Sequence, residues 1–74
     1  MPATPKIPWP ETYLGRLQAV MEELQNIGEP ASVETLLARF SGVTMEQVEG
    51  TLAALVLFGR VEKIGDLFSA AKDG

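Results

Sequence analysis

Residues 43–68 read VTMEQVEGTLAALVLFGRVEKIGDLF. The stretch predicts one long helix from Thr44 to Phe58, a stop at Gly59 and a tight hairpin directly after it. Thr44 is a favoured N-cap, because its hydroxyl accepts from the free N–H groups of the first turn. Gln47 follows three residues on, the spacing of a capping box, and Val43 with Val48 has the spacing of a hydrophobic staple. Glu46 and Glu49 sit near the positive end of the helix dipole. Val48, Leu52, Leu55 and Val56 recur at helical spacing and are expected to form the buried stripe, widened by Leu57 and Phe58. Gly59 supplies the left-handed residue that ends such a helix.

Gly65-Asp66 between two apolar-rich runs is a two-residue hairpin loop of the Gly-X kind. In that register Ile64 faces Leu67, Lys63 faces Phe68 and Val61 faces Ala70. Opposed residues share a face, so Val61, Phe68 and Ala70 are expected against the helices, with the Lys63 stem beside them. Ile64 and Leu67 then form an apolar pair at the hairpin tip, facing away from the core. A lone hairpin is marginal in water and must dock on the helices.

Two helices are expected before this unit. The first begins around Pro10 to Thr12 and runs to Ile27, with Leu14, Leu17, Met21 and Leu24 as its stripe, Tyr13, Val20 and Ile27 beside it, and Glu22 and Glu23 solvated. Gly28 ends it and Pro30 follows. The second starts on the N-cap Ser32 and buries Val33, Leu36, Leu37 and Phe40 along one face. Ser41-Gly42 then give a turn of about three or four residues, the helix-turn-helix spacing. Gly50, inside the third helix, is expected to permit close approach of another backbone, either a tight crossing with the second helix or a partner.

Residues 1–10 hold four of the five prolines and read as an extended arm. Trp9 closes that arm, either as a lid on the small core or as an anchor for a partner. Residues 72–74 are a polar tail. The chain thus divides into an arm over 1–10, one domain over 11–71 and the tail.

Seventy-four residues make one small domain of modest burial. With no Cys and no His, disulfides, thiolate metal sites and the commonest general base are all absent. No metal site, cofactor or small-molecule substrate is expected, and the chain is not expected to be an enzyme. There is no apolar run long enough for a bilayer and no signal-peptide pattern, so a cytoplasmic location and no membrane contact are expected. The net charge is −4. Residues 11–58 carry seven Glu against two Arg, which gives the helical body none of the basic character that phosphate binding needs.

The order of three helices and a C-terminal hairpin, over residues 8–71, resembles a winged-helix (winged helix-turn-helix) domain. That likeness implies an α+β fold, a three-helix bundle with a two-stranded wing. In a narrower and weaker likeness, Pro8-Trp9-Pro10-Glu11-Thr12, Val33 to Phe40, Val48-Glu49 with Leu52 and Leu55, and Gly65-Asp66-Leu67-Phe68-Ser69-Ala70 resemble the C-terminal winged-helix segment of some bacterial restriction–modification-type DNA methyltransferases. Those segments are usually Arg-rich at the entry to the third helix, where this chain has Ser41 to Gln47. None of the methyltransferase's catalytic motifs is present, so the resemblance implies no activity. It implies a non-catalytic module of a bacterial DNA-acting system.

Two modes of contact follow. In the first, a protein partner or a second copy meets Glu46, Glu49, Ile64 and Leu67, with Trp9 as a further anchor. In the second, DNA is bound weakly: Gln47 at the start of the third helix reads a base edge, while Arg60 and Lys63 on the wing touch phosphates. Glu46 and Glu49 would then lie near phosphate with no Lys or Arg on their own helix, and that repulsion favours the protein partner.

Overall fold

The computed structural model describes residues 6–71. Its elements are β1 (Ile7–Pro8), α1 (Tyr13–Ile27), β2 (Ala31–Ser32), α2 (Val33–Leu37), β3 (Phe40–Ser41), α3 (Met45–Leu57), β4 (Val61–Ile64) and β5 (Leu67–Ala70). The architecture is α+β, and its three helices and antiparallel hairpin are compatible with a winged helix. Residues 1–5 of the expected arm and the tail over 72–74 lie outside the described residues.

Every helix starts on a hydroxyl. Thr12 accepts from the Gly15 N–H, Ser32 from Thr35 and Thr44 from Gln47. At α3 the capping box closes in both directions, the Thr44 N–H donating to Gln47 Oε1 at 3.0 Å and the Gln47 N–H to Thr44 Oγ1 at 3.2 Å. At its other end the Gly59 N–H donates to the Val56 carbonyl and the Arg60 N–H to that of Leu55. That pair of bonds is a Schellman stop, and it requires the φ of 76° that Gly59 adopts. The stop reverses the chain into β4, which packs back against α3.

The hairpin has the expected register, Val61↔Ala70 through Ile64↔Leu67. Gly65 has φ 62° and Asp66 does not have positive φ, the pattern of a type II′ turn. Val61 and Phe68 are buried, and Ile64 and Leu67 are exposed. The hairpin is one part of a three-stranded sheet of order β2-β5-β4, because Ala31 and Ser32 pair antiparallel with Phe68 and Leu67. This third strand, two residues long, docks the hairpin to the body between α1 and α2.

The core joins Val20 and Leu24 of α1, Leu36 of α2, Phe40, Val48, Leu52 and Leu55 of α3, and Val61 and Phe68 of the sheet. Several expectations are corrected by it. In α1 the buried arc is centred on Val20 and Leu24, so Leu14 swings out to 64% exposure and Tyr13 is exposed as well. The same rotation carries Glu23 inward, to 7%. It is not solvated: Arg39 donates to Glu23 Oε1 at 3.2 Å and Asn26 to Oε2 at 3.2 Å. In α3 the arc is Val48, Thr51, Leu52 and Leu55, which leaves Val56 at its edge and Leu57 and Phe58 exposed. Thr51 is accommodated because its hydroxyl donates to the Gln47 carbonyl at 2.8 Å. Gly50 makes no tight internal crossing, since a Cβ built there meets nothing within 4 Å.

The second helix is shorter than expected. It ends at Leu37, and Phe40 is buried from strand β3 rather than from a helical face. The arm pairs with the chain where it has left the helix. Ile7 donates to the Arg39 carbonyl and Trp9 to that of Ser41, at 2.9 and 3.1 Å, pairing β1 parallel to β3. The link between α2 and α3 is correspondingly longer than the expected short turn. Trp9 stacks edge-on against Phe40, with ring centroids 5.2 Å apart, and the Arg16 guanidinium lies 5.6 Å from the Trp9 ring centre. Arg16 Nε also donates to the Pro10 carbonyl at 2.8 Å. The lid reading of Trp9 accounts for these contacts.

Two glycines of similar helical setting give opposite expectations. A Cβ at Gly15 would lie 2.7 Å from Thr12 Oγ1 and 3.1 Å from Pro10 Cβ. Gly15→Ala therefore displaces the capping hydroxyl and crowds Pro10, a loss that exceeds the propensity gain of Ala, and is expected to lower stability. Gly50→Ala only removes the backbone freedom of an exposed helical glycine and is expected to raise stability by about 1 kcal/mol. Urea midpoints moving the same way in both variants would contradict this assignment. Arg39→Ala leaves the Glu23 carboxylate buried with Asn26 as its remaining partner, and is expected to cost about 1–2 kcal/mol, below the figure for a fully buried pair because Arg39 is partly exposed. A midpoint unchanged from the parent would show that water already satisfies Glu23.

Candidate functional site

Helix α3 buries one face and presents the other to solvent. On the solvent side Glu46, Gly50, Ala53 and Leu57 follow one another at four, three and four residues, and all are exposed. Beside them Met45, Glu49, Ala53 and Val56 form a second row that turns toward the sheet. Lys63 lies opposite Phe68 in the β4–β5 register, so both side chains are on the sheet face turned to α3.

Between these two walls runs a trough. One part, of about 390 Å³, is lined by Val33, Glu49, Ala53, Val56, Lys63 and Phe68. A second, of about 280 Å³, shares Val33, Glu49, Lys63 and Phe68 and adds Ser32, Glu34, Met45 and Asp66. Its floor is thus apolar, made by Val33, Ala53, Val56 and Phe68, while its rim holds Glu34, Glu49 and Asp66 with Lys63 as the one cation among the lining residues. The Ser32 cap and the short α2 place Val33 and Glu34 at one end. The α3 capping box places Met45 and Glu49, and the type II′ turn places Asp66.

The structure separates residues that the sequence reading grouped. Glu49 and Lys63 come together in the trough. Ile64 and Leu67 are exposed on the opposite face of the hairpin, with Glu62 and Ser69. Glu46 lies on α3 just outside the trough. Trp9 is half-buried against Phe40, and its indole Nε1 is buried without a hydrogen-bond partner. Gln47 Oε1 is held by the capping box. Arg60 is exposed just after the Schellman stop. Among the described residues the one ion pair is Glu23–Arg39, so Lys63 stands in the trough without a closed pair to Glu49.

The trough residues missed from sequence are Val33, Glu34, Met45, Ala53, Val56, Asp66 and Phe68 as a lining set. The register already placed Lys63 beside Phe68. Ala53, three residues past Gly50, was a signal that the outer face of α3 is low. Among the described residues no three Asp or Glu side chains gather as a cation cage would need, and no helix is long and apolar enough to cross a membrane. Comparison with protein-family models, with curated proteins and with solved structures finds no match for this chain.

Proposed function

We propose that this chain is a non-catalytic interaction module that binds a protein partner, a second copy included, through the exposed side of α3 and the hairpin. The observation that carries the proposal is the joining of apolar and acidic surface on those two elements. Met45, Val56, Leu57, Ile64 and Leu67 are exposed there, and α3 itself carries Glu46 and Glu49 with no Lys or Arg. Met45 and Val56 line the trough, whereas Ile64 and Leu67 lie on the opposite face of the hairpin, so apolar surface is open on both sides of it, and buried apolar area drives association. The resemblance of the arm, α2, α3 and hairpin sequences to methyltransferase C-terminal segments supports a place in a bacterial, cytoplasmic DNA-acting system of the restriction–modification kind.

Direct DNA contact is the competing mode, and its chemistry is local. Arg60 and Lys63 are the cations of the hairpin, but Lys63 shares its trough with Glu49, Glu34 and Asp66. A phosphate placed on Lys63 meets those carboxylates too, which weakens the contact in water and more so where water is excluded. Gln47 offers only its amide N–H₂ once Oε1 is used in the cap.

The first experiment is an NMR titration of labelled protein with a short duplex, at low and then physiological salt. Electrostatic DNA affinity is strongest at low salt, so the expected result is no shift in α3 or the hairpin there. Shifts at Arg60 to Phe68 that reverse with salt and vanish in the Arg60→Ala/Lys63→Ala double variant would replace the proposal with DNA binding. The second compares Ile64→Asp and Leu67→Asp with the parent in a pull-down and in sedimentation. Both substitutions fall at exposed positions, so an unchanged fold with lost association is expected. Association equal to that of the parent in both variants would remove the outer face of the hairpin from the binding surface.

A further inference from the structure

We infer that the trough between α3 and the hairpin receives an amphipathic helix of the partner, with an apolar seam flanked by Lys or Arg. The inference rests on the protein-contact reading above and deepens it by giving the α3 side of the hairpin, opposite Ile64 and Leu67, an occupant of stated chemistry.

The shape argues for a helix. From Met45 to Val56 the α3 wall extends roughly 16 Å, about three helical turns. Both walls are made of side chains: one row of α3, and Lys63 and Phe68 standing off the face of the sheet. An extended strand would find no row of backbone N–H and C=O groups to pair with on a sheet face, and would leave its own unpaired. A helix satisfies its backbone internally and needs only an apolar row at i, i+3, i+4 and i+7 to lay against Val33, Ala53, Val56 and Phe68. Ala53 keeps that side of α3 low.

The charge argues for a basic one. Glu34, Glu49 and Asp66 edge the apolar floor, against Lys63 alone among the lining residues. An acid-flanked helix would place carboxylate against carboxylate at both edges. A Lys- or Arg-flanked helix meets opposite charge along α3, and its long stems lie over the apolar rim.

The test is selection against the intact chain from a displayed library of helical peptides about four turns long, with the apolar seam fixed and the flanking positions fully randomised. Binders enriched in Lys and Arg at the flanks are expected. Their affinity should fall with added salt and drop about tenfold or more in Ala53→Gln, an exposed helical substitution that fills the trough while the amide NMR fingerprint stays native. Glu49→Lys should weaken them further. Binders that Ala53→Gln weakens but whose flanks are neutral or acidic would overturn the basic-helix occupant and leave the protein-contact reading standing. Binders that bind Ala53→Gln as well as the parent would show that the trough is not the site, and the inference fails with it, whatever the outer face of the hairpin does in the pull-down.

Discussion

The burial of one face of α3 is the constraint on which the structure depends. Val48, Leu52 and Leu55 are each essentially inaccessible, and each contributes about 2 kcal/mol by leaving water. Helix α3 is the element that α1, α2 and β4 all pack on. The capping box and the Schellman stop matter because they fix where that face begins and ends. A helix one residue longer at Gly59 would turn the hairpin away, and Val61 and Phe68 would lose their place over the core. The remaining surface of α3 is therefore determined by subtraction. It is whatever the three neighbours and the sheet do not cover, namely the side that carries Glu46, Glu49, Gly50, Ala53 and Leu57.

Much of this frame was legible in the sequence, and the reason is local. Thr44, Gln47, Gly59 and Gly65 act on their own few residues through caps and turns, so their signals survive without tertiary context. The hairpin register follows from Gly65-Asp66 in the same way. What was not legible depended on what covers a helix. Spacing alone cannot phase the α1 stripe between Leu14 and Val20, because both lie within an arc that neighbours could hide. Glu23 was assigned to solvent by its charge, yet Arg39, sixteen residues away, makes its burial tolerable. Phe40 fits a helical period and is buried, but from a strand that exists because β1 pairs with it. The β2 strand of Ala31 and Ser32 is too short to carry a pattern of its own.

The arm shows how such a domain gains core that its helices do not supply. Trp9 against Phe40, Arg16 over Trp9 and the two backbone bonds from Ile7 and Trp9 join residues preceding α1 to the connection between α2 and α3. Arg39 is the junction. Its carbonyl receives the Ile7 N–H and its guanidinium holds Glu23 of α1, so a single residue ties arm, α2 end and α1 together. The position of the candidate site follows from this. With the arm occupied at the Phe40 side, the trough lined by α3, Val33 and the hairpin is left open.

The electrostatics of the trough then separate two uses of one architecture. A groove between a long helix and a hairpin can accept a nucleic acid backbone when its rim is cationic, since neutralised phosphates release their counterions. Here the rim is acidic and the floor apolar. Replacing water over Val33, Val56 and Phe68 is favourable in proportion to apolar area, but a phosphodiester chain has little apolar surface to offer and brings like charge to Glu34, Glu49 and Asp66. A side-chain partner supplies both missing components, apolar groups for the floor and ammonium or guanidinium groups for the rim. Because those charges sit at the edge, near water, they act more on orientation and encounter rate than on net affinity. Affinity must come from the floor, where Ala53 sets how deeply a partner can sit.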